Sequence, residues 1–151
     1  MHRLVASSFG LGLIPRRLWG SDSGAGTFGA ALAVGIGALL LLIDAAWWLT
    51  ATLALVAVAT SIWSARPFSA EGDPGWICMD ETAGTLIAMI GLGGIPWLVA
   101  VVVARLADIF KVLPGVAYAD RIHGPIGITL DDVIAGLYGL AVGWALTGLG
   151  V

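Results

Sequence analysis

The chain has 151 residues, 59% of them hydrophobic and only 11% charged, and its mean hydropathy is +0.98. That balance lies outside the range of soluble domains, and several apolar runs approach the roughly 20 residues that cross a hydrocarbon layer of about 30 Å. Seven basic and ten acidic residues, a net charge of -3, argue against a nucleic-acid surface, and the single cysteine, Cys78, excludes an internal disulfide or a CxxC metal pair.

Residues 1–20 carry Arg3 but lack the apolar stretch and small-residue cleavage site of a signal peptide, because Pro15, Arg16 and Arg17 interrupt them. The segment therefore reads as retained. Two long apolar runs follow, residues 26–43 and 45–63, with Asp44 between them and Arg66-Pro67 after the second. Each is about long enough to span, which predicts a helical hairpin that crosses the membrane and returns. Arg3, Arg16, Arg17 and Arg66 then share one side, and the positive-inside rule makes that side the cytoplasm. Gly29, Ala33 and Gly37 stand four residues apart, a spacing read here as close helix packing rather than as a ligand site. The seven tryptophans, including Trp47, Trp48 and Trp63, fit interfacial anchoring.

Residues 69–75 (SAEGDPG) read as a polar, turn-rich loop that separates two halves of the chain. The next apolar run, residues 82–103, is interrupted by Gly91, Gly93, Gly94 and Pro96. One straight span would put Asp80-Glu81 and the group Arg105, Asp108 and Lys111 on opposite faces of the membrane. Two shorter helices meeting at the break would return both charged ends to one pole, since irregular backbone is tolerated at membrane depth where protein shields it. The hairpin is the preferred reading, and it leaves every lysine and arginine, including Arg121, on the cytoplasmic side. Residues 117–130 read as a polar connector, and Asp131-Asp132 as the opening of a last helix whose Ala135, Gly139 and Gly143 form another small-residue face. The expected fold is thus all-α, a polytopic membrane helical bundle with a broken, re-entrant hairpin, forming a single domain over residues 1–151.

The exceptions to apolarity cluster. Asp80-Glu81 open one helix and Asp131-Asp132 another, while Arg105 and Asp108 lie three residues apart on one helical face. Any one of these could be an interfacial cap, but ionisable groups at the edge of apolar segments are costly unless paired or metal-bound, so two carboxylate pairs with Arg105 and Lys111 point to a site. Carboxylates without histidine or cysteine clusters favour a hard cation such as Mg2+, with phosphate as a natural co-ligand. The reaction class suggested is phosphoryl transfer or hydrolysis, in which a metal polarises a phosphoryl oxygen and arginine or lysine stabilises the equatorial oxygens.

Other phosphatase chemistries fail on the sequence. A cysteine nucleophile would need an arginine six residues later, and position 84 is Gly. There is no DxD signature, no P-loop, and only the Arg66-Pro67 fragment of the histidine-based lipid phosphatase pattern. His123, in HGPIG, could touch phosphate or protonate a leaving alkoxide, although a solvated loop histidine is the commoner case; His2 reads as inert.

The chain resembles the phosphatidylglycerophosphatase A family. The resemblance rests on the ordered segments DETAG from Asp80, ARLADIFK ending at Lys111 and followed by Pro114, His123-Gly124, and GITLDDVIAG from Gly127. A weaker echo covers FGLGL from Phe9 and GTFG from Gly26, which look like the family's glycine-rich opening and its PGTxGS segment. Departures are Ala25 and Ala30 in that segment, an apparent insertion at residues 18–23, Met79 for tryptophan, Val112 for proline and Pro125 for glycine; none removes a carboxylate. The resemblance implies a Mg2+-dependent membrane phosphatase of the bacterial inner membrane, acting on phosphatidylglycerophosphate at the cytoplasmic leaflet to give phosphatidylglycerol and phosphate. It implies Asp80, Glu81, Asp131 and Asp132 as metal ligands or their support, Asp108 as a further ligand or base, and Arg105 and Lys111, with His123, as phosphate-binding residues. Two other readings stay open: a non-catalytic membrane protein with acidic caps and oligomerising small-residue faces, and the same chemistry on another lipid phosphomonoester such as phosphatidic acid.

Overall fold

The computed structural model describes residues 1–71 and 74–151; residues 72 and 73, in the loop expected at 69–75, lie outside the described residues. Two short helices, α1 (His2–Ala6) and α2 (Ile14–Trp19), precede the long α3 (Ala25–Leu42) and α4 (Trp47–Ala65). The turn between α3 and α4 includes Asp44 in the left-handed region at φ 51°, so the predicted hairpin and its turn are both present. At about 1.5 Å per residue these helices of 18 and 19 residues are roughly 27 and 28 Å long, enough to cross a bilayer core. Leu42, Ile43, Trp47, Trp48 and Leu55 are exposed, as apolar side chains facing lipid should be.

The third apolar run is broken as expected. Helix α5 (Met79–Ala88) stops after ten residues, and α6 (Gly94–Phe110) begins after a five-residue gap. Gly91 sits at φ 68°, a conformation that glycine adopts without penalty, and a Cβ there would come within 2.9 Å of the Trp144 ring. The break is not left with orphaned backbone: the amides of Met89, Ile90 and Leu92 donate to carbonyls three residues earlier, and Trp144 Nε1 donates to the Ile90 carbonyl at 3.2 Å. Trp144, half exposed, therefore closes the hairpin, and Trp76 and Trp97 are buried in the core.

A short turn, α7 (Val116–Ala119), leads to the last helix, α8 (Pro125–Gly148). This corrects the expected connector. The helix begins at Pro125, in the first helical position where the missing amide costs nothing, so Asp131 and Asp132 sit in its second turn and cannot be first-turn caps. Helix α8 packs against α4, α5, α6 and α7. Its small residues are used inside the chain: a Cβ on Gly139 would run into the Ala100 carbonyl, and one on Gly143 would lie 3.0 Å from Ala100 Cβ and 3.2 Å from the Pro96 carbonyl. On α3, Gly29 meets the Cys78 carbonyl and Gly37 meets Met89 and Trp97. Both small-residue faces thus serve intramolecular packing, and neither is free for oligomerisation. Among the described residues there is no strand, and α3, α4 and α8 are long and apolar enough to cross a membrane. The chain is an all-α membrane bundle.

Candidate functional site: a carboxylate cluster at one pole

Helix crossings between glycines set the site. Gly84 of α5 and Gly136 of α8 touch backbone to backbone: a Cβ on Gly136 would collide with the Gly84 carbonyl, and one on Gly84 with the Asp132 carbonyl. One turn before each glycine lie Asp80-Glu81 and Asp132, so the crossing brings their carboxylates together. One oxygen from each of Asp80, Glu81 and Asp132 falls in a group no wider than 4.8 Å, and a second such group joins Asp108, Asp131 and Asp132. Asp132 belongs to both. Asp80, Asp131 and Asp132 are 4%, 5% and 6% exposed, a burial that carboxylates accept only with strong compensation.

The compensation is uneven. Arg105 Nη1 lies 2.7 Å from Asp108 Oδ2 and 3.7 Å from Asp132 Oδ1, as ion pairs without hydrogen-bond alignment at that nitrogen. Lys111 Nζ donates to Asp131 Oδ2 at 2.7 Å and also to Asp120. Partial burial works against the charged ammonium, but the two carboxylates outweigh it and raise the Lys111 pKa. Glu81 Oε2 and Asp131 Oδ1 are buried with no hydrogen-bond partner. The structure thus unites Asp80, Glu81, Arg105, Asp108, Lys111, Asp131 and Asp132, every charged residue that the sequence suggests for the site. Asp120 was not named; it lies nine residues from Lys111 across α7, and only the turn of the chain makes the pair.

Two cavities reach this cluster. The larger, of about 480 Å³, is lined by the 21–27 segment on one side and by Glu81, Arg105, Asp108 and Lys111 on the other. Gly26 forms part of its wall, and a Cβ there would strike Glu81 Oε1 and come within 2.9 Å of Arg105 Nη2. The smaller, of about 180 Å³, is lined by Ser69, Asp120, Ile122, His123 and Asp131 together with residues at the start of α8. His123 therefore does not share a cavity with Arg105 and Lys111.

The phosphatidylglycerophosphatase A family matches residues 4–147. The chain belongs to that family. A phosphatidylglycerophosphatase A of Haemophilus influenzae is 31% identical over 77 residues, which cover 49% of this chain and 47% of the relative. A Bacteroides thetaiotaomicron protein, provisionally named a phosphatidylinositol-3-phosphatase, is 32% identical over 145 residues, covering 89% of this chain and 86% of the relative. No solved structure matches the chain significantly. Family and helices together make this chain a membrane lipid phosphatase of the phosphatidylglycerophosphatase A family.

Within that family setting, the donor set fits a hard divalent cation. Asp80, Glu81 and Asp132 offer oxygen ligands only, Glu81 Oε2 lacks a protein partner, and Gly26 leaves space where any side chain would press on Glu81. Cysteine-based phosphatase chemistry does not fit. Cys78 is fully buried beneath Gly12, and burial pushes its thiol up to about 11, so the nucleophilic thiolate is scarce near neutral pH.

Proposed function

We propose that the chain hydrolyses the phosphomonoester of phosphatidylglycerophosphate, giving phosphatidylglycerol and inorganic phosphate, in a Mg2+-dependent reaction at the cytoplasmic leaflet of the bacterial inner membrane. The observation that carries this reading is the carboxylate group of Asp80, Glu81 and Asp132, whose member Glu81 lines one open cavity together with Arg105, Asp108 and Lys111. Asp80, Glu81 and Asp132 would hold the ion, which supplies charge neutralisation on a phosphoryl oxygen when bound. Asp131, expected among the ligands, has Oδ2 engaged by Lys111 and groups with Asp108 and Asp132, so it would support the ion from beside the first group. Arg105 and Lys111 reach the cavity from α6 and would bind the equatorial phosphoryl oxygens, while Asp108 holds the Arg105 guanidinium in place. Exposed Arg3, Arg16, Arg17, Arg66 and Arg121 support the cytoplasmic orientation.

The similarity to the Bacteroides protein favours a second reading, the same chemistry on a phosphorylated inositol lipid. Phosphate release by the purified protein in detergent, measured with phosphatidylglycerophosphate, phosphatidylinositol 3-phosphate and phosphatidic acid with and without Mg2+, decides between them. The highest kcat/KM is expected for phosphatidylglycerophosphate, with activity abolished by chelation. Activity on none of the three, or activity unaltered in both Asp80→Asn and Asp132→Asn, would show that the cluster is not a hydrolytic site.

A further inference from the structure

The larger cavity has two unlike walls. Glu81, Arg105, Asp108 and Lys111 make one of them charged, whereas the 21–27 segment brings Ser21, Ser23 and Thr27 to the other. At about 480 Å³ the space lies within the roughly 300–1,000 Å³ of small-ligand pockets, so it takes more than a phosphate group. The alcohol that carries the phosphate must therefore meet the second wall.

That wall is held in shape by its own contacts. Trp19 Nε1 donates to the Ser23 carbonyl at 3.2 Å, the Ser23 amide donates to Ser21 Oγ at 3.1 Å, and the Ala25 amide donates to the Asp22 carbonyl at 3.1 Å. Asp22 also lies 3.8 Å from Arg16 of α2, and the rings of Trp19 and Phe28 are 6.5 Å apart. These ties fix the backbone from α2 into the first turn of α3, so little ordering remains for a ligand to impose. Gly26 then seats that turn against Glu81 and Arg105. Ser21 Oγ accepts the Ser23 amide and keeps its own proton to donate, while among the described residues the hydroxyls of Ser23 and Thr27 have no hydrogen-bond partner within the chain. All three residues are exposed, so a headgroup in the cavity reaches them.

Building on the phosphatase reading above, we infer that Ser21, Ser23 and Thr27 form a headgroup-reading wall, which hydrogen-bonds a free hydroxyl on the leaving alcohol and so selects polyol phosphomonoesters over those without one. A hydroxyl both donates and accepts, and three of them facing a basic wall match a substrate that joins an anion to a hydroxylated carbon skeleton. Phosphatidylglycerophosphate carries such a hydroxyl beside its phosphomonoester, and a phosphorylated inositol lipid carries several. Phosphatidic acid, with its phosphate directly on the acylated glycerol, carries none. The three residues position the alcohol and take no part in the bond changes at phosphorus. Ser21 and Ser23 belong to the apparent insertion at residues 18–23, so part of this selectivity is written where the chain departs from the family pattern.

Removing the hydroxyl from the substrate tests the inference. For the purified full chain in detergent, kcat/KM for phosphatidylglycerophosphate should exceed by about tenfold that for its analogue with hydrogen in place of the free headgroup hydroxyl, a modest ratio because the wall is open to water. In the variants Ser21→Ala, Ser23→Ala and Thr27→Val, made singly and together, the ratio should fall, to within about threefold in the triple variant; in Thr27→Ser, which keeps a hydroxyl, it should stay near the wild-type value. The ratio compares two substrates on one protein, so a smaller folded fraction cancels from it. Equal kcat/KM for the two substrates in the wild type would overturn the inference, and so would an undiminished ratio in every variant. Failure of the wild type to release phosphate from either substrate would instead overturn the phosphatase reading on which the inference rests.

Discussion

The outer hairpin of α3 and α4 and the inner unit of α5, α6 and α8 are built from similar apolar residues but obey different constraints. In α3 and α4 only 28% and 33% of the spanning window is buried within the chain, and large side chains such as Leu42 and Leu55 face outward. In α5 nine of ten residues are buried, including Asp80 and two threonines. Lipid solvates the outward faces of the first region, so almost any apolar side chain serves there, away from the packed Gly29 and Gly37. The second buries polar groups that must find partners inside the chain, and its Gly84, Gly136 and Gly139 are fixed by backbone contact. Serine and threonine complete the joint between the regions: Ser8 Oγ and Thr82 Oγ1 pair at 2.8 Å, and Thr82 Oγ1 also reaches the Gly29 carbonyl at 2.9 Å. The site thus belongs to the inner unit, with α3 contributing its first turn to the cavity wall.

Substitutions can sharpen or break that contrast. The largest effect is expected from Asp132→Asn, because Asp132 alone belongs to both carboxylate groups: kcat for phosphate release should fall at least about 100-fold with helical content retained by circular dichroism. Gly136→Leu should come next, forcing α5 and α8 apart and lowering stability by about 1–3 kcal/mol or more in a detergent melting experiment. Arg105→Lys keeps the charge but loses the planar fork between Asp108, Asp132 and the cavity, and kcat/KM should drop about tenfold. Leu55→Ala, on the outer face, should change the melting transition by less than about 0.5 kcal/mol and leave the kinetics alone. A loss from Leu55→Ala as large as from Gly136→Leu would remove the distinction between the two regions.

Much of this was legible in the sequence, for identifiable reasons. Long apolar runs and a charged turn have few structural readings, so α3, α4 and the turn at Asp44 followed directly. Glycine and proline at 91–96 marked the break because an unbroken span would have divided the charged residues between the two faces. The start of α8 is less legible, because Pro125 and Gly127 read equally as loop punctuation and as a helix start with proline in the first position. The tryptophans differed too: Trp97 and Trp144 pack on or near the break, a role that amphipathic character alone does not signal. The pairing of Lys111 with Asp120, the collision of any Gly26 side chain with Glu81, and the separation of His123 from Arg105 depend on how helices cross. No local spacing encodes them.

The proposed cation site stands on the helix crossing at Gly84 and Gly136, which brings Asp80, Glu81 and Asp132 together. Titration of the purified chain with Mn2+, followed by loss of the free-ion electron paramagnetic resonance signal, tests it without reliance on turnover. The claim predicts saturable binding that Mg2+ displaces, weakened at least about tenfold by Asp80→Asn or Asp132→Asn and little affected by Asp44→Asn at the far turn. Binding that is equal in all four proteins, or absent from the wild type, would contradict it.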